Sequence, residues 1–348
     1  MAVTLRDVAQ HAGVSPRTVS NVVNDFPHIS AAMRAKVEAA LSELNYKPNL
    51  LARSLRQGRT GIITLLLPDI AVSYFGELAH EVVERASELG CTVMIDETGG
   101  KSDRERTLID EAAQSSWVDG VLLSSLGLRG RDLAGLLPGM PVVLLGERTA
   151  GTALDHVGID NVKAAREAVR HLIDSGRRRI AAIGGSAGAS DATSRLRLKG
   201  YRQELRAAGL PEDGLYARTP DYKRASAAPA VRSLLSRDDP PDGIFCFSDE
   251  LAAGVLRELH EQGLRVPADI SVIGFDDIEE ARFTTPSLTS VRPDKAKIAE
   301  IAVGMLLQRM QGSEAKPRDV QVGHELIVRE SSTSAPRKAH SGMSFTQR

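Results

Sequence analysis

The chain has 348 residues, 42% hydrophobic and 26% charged, an ordinary globular composition long enough for two or three compact domains. No apolar run approaches the roughly 20 residues that span a bilayer, and the start "MAVTLRDVAQHAG" has neither a basic n-region nor an apolar h-region, so a cytoplasmic protein without a membrane partner is expected. The net charge of −1 hides an asymmetry: residues 1–60 hold eight Lys or Arg against four Asp or Glu, and the remainder holds 36 against 41. A small basic module joined to a mildly acidic body suits an anionic partner for the module alone. Cys91 and Cys246 sit in apolar runs without metal-ligand spacing and read as buried structural thiols. No Walker A sequence or zinc spacing occurs, so no metal and no cofactor is expected.

In "TLRDVAQHA", Leu5, Val8, Ala9 and Ala12 recur at helical spacing, and Thr4 with Asp7 has capping-box spacing. Gly13 can take the positive φ of a turn, and Ser15 followed by Pro16 is an N-cap before a first-turn proline. A second helix therefore starts within "VSPRTVSNVVN", although its Val, Ser and Thr residues prefer strands or turns. On a helical wheel Val19, Val22 and Val23 share one side, with Arg17, Ser20, Asn21 and Asn24 opposite. Strand alternation would mix Arg17 and Asn21 with Val19 and Val23 on one face, so the strand reading fails. Ser30 caps a third helix with a stripe of Met33, Val37, Leu41 and Leu44. Two short helices joined by a Gly-containing turn, with a third across them, predict a helix-turn-helix domain over residues 1–47. A plain three-helix bundle is the alternative. Against it stand Arg17 and Asn21, one turn apart on the polar face and suited to guanine and adenine edges in a major groove.

The segment "PNLLARSLRQG" has helical spacing, closed by Gly58, over residues 48–59. It is too short to be stable alone, and an ordinary linker is the alternative. Beyond Thr60, buried runs such as "GIITLLLP", "CTVMID", "VDGVLLSS" and "PVVLLGE" alternate with amphipathic helices. The pattern repeats through "HVGID", "RIAAIGG", "GIFCFS" and "ISVIGFD", with helices predicted at Val162–Ser175, Ser194–Ala208 and Asp249–Gln262. This predicts an α/β body over residues 60–334 made of two doubly wound parallel sheets, with a cleft at the strands' carboxyl ends. Strand ends nominate Asp69 and Ser73 in "PDIAVSYF", Ser248 and Asp249 in "SDE", and Asp276 in "GFDD" as polar cleft residues. Carboxylates, an arginine and flat aromatics together suit a polyol. The last residues, 335–348, contain Pro, Ser, Gly and basic residues without a heptad and read as a frayed tail.

A different reading starts from "GGSAG", Gly184–Gly188, which fits the G-x-S-x-G form of a nucleophile elbow in a serine hydrolase, with His260 and His324 downstream. A tight Gly/Ser turn is equally what any doubly wound sheet needs, no "HGGG"-type segment precedes it, and a hydrolase has no use for the basic module. A sugar-binding protein without regulatory role is the third reading, and it lacks the signal peptide it would require.

"TLRDVAQHAGVSPRTVSNVVND" followed by "YKPNLLARSLRQGRTG" resembles the lactose-repressor (LacI/GalR) family of bacterial transcriptional regulators, from Thr4 to about Glu330. The resemblance implies a non-enzymatic repressor that binds a palindromic operator in double-stranded DNA as a homodimer. It implies a two-lobed body similar to periplasmic sugar-binding proteins, controlled by a small-molecule effector of carbohydrate type. Pro16, Arg17 and Asn21 fall where the family reads bases, and Thr4, Ser15, Thr18, Asn24 and His28 where it contacts phosphates. Two positions depart from the pattern: Pro16 has no donor, and Asn21 stands where Arg or His is common. Residues 48–59 correspond to the hinge helix, with Asn49, Ala52 and Leu55 at DNA positions and Leu55 as the minor-groove wedge. The first lobe corresponds to about 60–160 and 292–322, the second to about 161–291 and 323–334. Tyr74 and Phe75 match ligand-stacking positions, Tyr222 an aromatic platform, and Arg197 the ligand-facing arginine of the R-L-x-G-aromatic pattern, with Arg195 the competing choice by chemistry.

Overall fold

The computed structural model describes residues 3–23, 26–46, 59–128, 132, 139–147, 153–185, 192–211 and 215–333. The chain divides into two units, Met1–Gly61 and Ile62–Arg348. The first holds α1 (Leu5–His11), α2 (Pro16–Val23) and α3 (Ala31–Glu43). α1 opens on a capping box, in which Thr4 N donates to Asp7 Oδ2 at 2.8 Å and Asp7 N donates to the Thr4 hydroxyl at 3.4 Å. Gly13 turns the chain at φ +57°, a conformation that glycine adopts without strain.

α2 starts where the Ser15 hydroxyl accepts from Thr18 N at 3.1 Å. Its valines each cost roughly 0.5 kcal/mol in helix propensity. Burying Val19 and Val22 among the three helices returns about 1.5–3 kcal/mol per side chain, so packing decides the conformation. In α3, the Ser30 hydroxyl accepts from Met33 N at 3.3 Å. Val37 and Ala40 are its buried residues and Leu41 and Leu44 pack beside them, whereas Met33, expected in the stripe, lies outside the core. The small Ala40 fits where α3 crosses its neighbours.

The second unit begins with β1 (Ile62–Leu67), α4 (Ser73–Glu88), β2 (Thr92–Glu97), α5 (Ser102–Gln114), β3 (Gly120–Ser124), β4 (Val142–Leu145) and β5 (Asp155–Ile159). It continues through α6 (Asn161–Asp174), β6 (Ile180–Ile183), α7 (Ala192–Ala207), β7 (Tyr216–Ala217), α8 (Arg224–Leu235), β8 (Gly243–Cys246), α9 (Asp249–Glu261) and β9 (Ser271–Phe275). It closes with β10 (Thr289–Pro293), α10 (Lys295–Met310), β11 (Asp319–Val322) and β12 (His324–Ile327). One sheet runs β2-β1-β3-β4-β5-β11 and the other β7-β6-β8-β9-β10-β12. Neighbours are parallel except β10 and β12. The chain passes between sheets after β5, after β10 and after β11. At the first two passages an aspartate caps the next helix: Asp160 Oδ1 accepts from Lys163 N and Asp294 Oδ1 from Lys297 N, each at 2.9 Å.

The buried strands behave as their apolar runs predict, with one exception. β2 was expected to be covered on both faces, but it is an edge strand whose Met94 and Ile95 are 50% and 38% exposed. Only one side of an edge strand finds a partner strand, and α4 packs on one face. Cys246 lies in the core of the second lobe as expected, but Cys91, just ahead of this edge strand, is only partly buried. Burial pushes both thiols up.

Candidate functional site

On α2, Arg17 and Pro16 are exposed and Asn21 is half-buried, opposite the buried Val19 and Val22. Thr4 and Ser15 are exposed at the starts of α1 and α2, and Thr18 is half-buried with its hydroxyl 2.9 Å from that of Ser15. His28 is exposed beside Phe26, their rings edge to face at 6.0 Å. Asn24, Asn49, Ala52, Leu55 and Ser186 lie outside the described residues.

The second site sits where both sheets reverse strand order. β1 lies between β2 and β3, and β6 between β7 and β8, so the loops after these strands part to opposite sides and leave a crevice. A cleft of about 430 Å³ opens there, lined by Asp69, Tyr74, Phe75, Arg197, Tyr222, Ser248 and Asp276 among the residues nominated from sequence. Glu147, Asn161, Thr193, Ser124, Ser125, Asp221 and Lys223 join them without having been nominated. Two nominees stand outside the lining. Ser73 turns its hydroxyl to Glu280 Oε1 at 2.9 Å and Glu250 Oε1 at 3.3 Å. Asp249 is buried beneath the cleft, accepting from Ser290 Oγ at 2.6 Å and Ile278 N at 3.0 Å. Both open a helix after a strand, and the helix's rotation decides which first-turn side chain reaches the crevice.

Arg197 is the central polar group and is only 8% exposed. A buried guanidinium must be paired. Its Nε donates to Asn161 Oδ1 at 2.7 Å and its Nη1 to the Phe247 carbonyl, while Nη2 lies 3.7 Å from Asp276 Oδ1. Its Cζ stacks 3.4 Å from the Phe275 ring centroid. Arg195, two residues earlier, faces outward and is exposed. Gly200 lets α7 seat on α6, since a Cβ there would stand 2.3 Å from the Val162 carbonyl. This close approach carries Arg197 to Asn161.

Asp276 is held at φ +110° and Asp277 at φ +43°, left-handed positions that strain a side-chain-bearing residue. Arg329 pairs with Asp277 at 2.6 Å, and Lys295 Nζ donates to the Asp276 carbonyl at 2.6 Å, holding this turn in place. Burial raises the Asp276 carboxyl to about 6 despite Arg197 and Lys295. Burial also pushes the Tyr74 phenol up. Across the cleft, the Glu147 carboxylate at the end of β4 accepts from Asn161 Nδ2 and, at 3.4 Å, from Thr193 Oγ1. The Tyr222 hydroxyl is hydrogen-bonded to Ser194. Beneath the first wall, fully buried Glu105 accepts from Ser125 Oγ and from the N–H groups of Leu126, Gly127 and Leu128, at 2.7–3.0 Å, and holds the loop that lines the cleft.

A three-helix module with an exposed polar recognition face, joined to a two-lobed body with a polar and aromatic cleft, is the architecture of a ligand-responsive DNA-binding regulator. Residues 4–49 match the model of bacterial regulatory proteins of the lacI family, and residues 169–332 match that of a periplasmic binding protein-like domain. The chain is 35% identical to the ribose operon repressor of Escherichia coli strain K12 over 328 residues, 94% of this chain and 98% of that one. The structure of the lac repressor dimer bound to operator and the anti-inducer ONPF superposes with a TM-score of 0.86 at 29% identity, over 96% of this chain and all of that one. A complex of the transcriptional regulator CelR with cellobiose gives 0.71 at 33% identity, over 94% and 99%. The chain belongs to the lacI family. It is a helix-turn-helix DNA-binding repressor with an effector domain, not an enzyme, so the serine-hydrolase alternative at Gly184–Gly188 does not hold. Among the described residues no helix is long and apolar enough to cross a membrane.

Proposed function

We propose that this repressor binds a palindromic operator as a homodimer in the cytoplasm and that a sugar or sugar derivative in the interlobe cleft controls its grip on DNA. Residues 1–47 form the reading module, 48–59 the hinge and 60–334 the effector and dimerisation body. Arg17 and Asn21 read base edges with Pro16 packed beside them, and Thr4, Ser15, Thr18, Asn24 and His28 meet phosphates. Asn49, Ala52 and Leu55 bring the hinge to the minor groove, where Leu55 wedges a base step.

The observation that carries this reading is the pairing, in one chain, of exposed Arg17 on the polar face of α2 with a cleft in which buried Arg197, Asp276 and Asn161 and half-buried Glu147 stand among Tyr74, Phe75 and Tyr222. Paired donors and acceptors beside flat rings suit hydroxyls and the C–H faces of a sugar. The names of the ribose operon repressor and the CelR–cellobiose complex support the sugar. The repressor dimer on its operator supports the dimer. So do the exposed apolar Met94 and Ile95 on edge strand β2 and Val83 and Leu89 at the adjoining α4.

The test is a mobility-shift series on an operator selected by the full chain from random DNA. Arg17→Ala should lose about 1–3 kcal/mol of discrimination at one base pair per half-site, whereas Thr18→Ala should weaken all sequences alike. Arg17→Ala with an unchanged specificity ratio removes Arg17 from the reading role.

A further inference from the structure

Among the described residues, the cleft walls carry more negative than positive charge. Asp69, Glu147, Asp221 and Asp276 line it, against Arg197 and Lys223. Arg197 is already committed to Asn161, the Phe247 carbonyl and Asp276. Lys223 stands two residues after Asp221, whose carboxylate accepts from the main-chain N–H of Lys223 at 2.9 Å and lies beside it in the lining. A phosphate or carboxylate ligand needs charge-assisted donors, commonly a guanidinium fork or the N–H groups at a helix start.

Two helix starts at the cleft, those of α6 and α9, are occupied by the protein's own acceptors, whereas α4 and α8 open without a side-chain cap. Asp160 caps α6. The Ser248 hydroxyl caps α9 ahead of the acidic Asp249 and Glu250. At the approach to α4, Ile70 N donates to Glu97 and Ala71 N to Asp69. A neutral polyol meets the opposite situation, because each hydroxyl can donate to a carboxylate that an anion would be repelled by. Glu147 is placed to enforce this. It projects from the first lobe and accepts from Asn161 and Thr193 of the second, so its negative charge lies at the seam of the cleft.

We infer that the cleft takes an uncharged ligand and rejects the phosphorylated form of the same molecule, with Glu147 as the residue that sets the discrimination. The inference rests on the cleft being the effector site. The test uses the full chain at pH 7.5 and fixed ionic strength, with thermal shift followed by calorimetry. The probes are matched pairs: ribose and ribose 5-phosphate, glucose and glucose 6-phosphate, adenosine and adenosine 5′-monophosphate. A neutral member should raise the melting temperature, and its phosphorylated counterpart should bind at least about tenfold more weakly. Glu147→Gln should narrow that ratio severalfold, and Asp221→Asn should narrow it in the same direction if Glu147→Gln fails to fold. A phosphorylated member that binds as tightly as its neutral counterpart overturns the inference while leaving the effector site standing. An unchanged ratio in both variants overturns the role given to these carboxylates. If no member of any pair shifts a chain that still binds operator DNA, the sugar-effector reading itself fails and takes the inference with it.

Discussion

Asp276 brings together three kinds of stress at one residue. Its backbone sits at φ +110°, its side chain is buried, and burial raises its carboxyl to about 6, with Glu77 and Glu250 adding to the rise and Arg197 and Lys295 opposing it. Strain of this kind persists only where the surroundings over-determine it, here the Lys295 and Arg329 contacts around the turn. The raised value has a definite sign. Between the ordinary carboxylate value of 3.8 and about 6 the unfolded chain releases this proton while the folded chain keeps it, so stability falls as pH rises through that window and is level above it. Urea unfolding of the wild type at pH 4.5 and 7.5 should show a loss on the order of 2 kcal/mol from this residue. Asp276→Asn should lack that share of the loss, and parallel pH profiles for the two proteins would remove the assignment.

The helices are positioned by what they lack as much as by what they carry. A Cβ at Gly200 would stand 2.3 Å from the Val162 carbonyl and 2.8 Å from the Ala165 Cβ, whereas a Cβ at Gly304 in α10 meets nothing within 4 Å. Gly200→Ala should therefore cost about 1–3 kcal/mol by overpacking and weaken effector binding by pushing α7 and Arg197 off α6. Gly304→Ala should stabilise by about 0.5–1 kcal/mol, since a helical glycine only adds unfolded-state entropy. Thermal unfolding of the two variants checks both signs. The same elements show how far the sequence could be read. Runs such as "IITLLL" and "GVLLS" announce buried parallel strands because both faces are covered, and the Ser-Pro start with three valines announces α2. β7, β10, β11 and β12 were not legible, because they are short and partly polar or exposed. β2 misled because an apolar run does not say that its strand lies at an edge. In the cleft, residues with distinctive chemistry or a strand-end position are legible from sequence, whereas Glu147 in "PVVLLGE" reads only as the end of a strand. Asn161 and Thr193 were missed for a related reason. Each is an ordinary polar residue in the first turn of a helix, and only the packing of α6 on α7 and the approach of β4 bring them to Arg197 and Glu147.

At the scale of the molecule, the two lobes of the body are joined by crossings of the chain and by contacts along the cleft. Three strands of chain pass between the sheets, near Asp160, Asp294 and Gly323. Among the described residues the contacts across the cleft are mainly polar: Glu147 with Asn161 and Thr193 on one side, and Ser73 with Glu250 and Glu280, Glu77 with the Glu279 N–H at 2.8 Å and Lys295 with the Asp276 carbonyl on the other, while Tyr74 adds an apolar contact to the core of the second lobe. Polar contacts of this kind are exchanged for water at little net cost, so a ligand with a preference of a few kcal/mol can choose the arrangement. By linkage, that ligand changes operator affinity by the factor by which operator changes ligand affinity, typically 5–150-fold. The most direct test is fluorescence anisotropy of the full chain on its selected operator, with and without the compound that raises its melting temperature most. The affinity should change at least about fivefold with the compound in the wild type, and by less than the error of measurement in Arg197→Ala. A compound that binds the cleft of the wild type and leaves operator affinity unchanged would contradict the account.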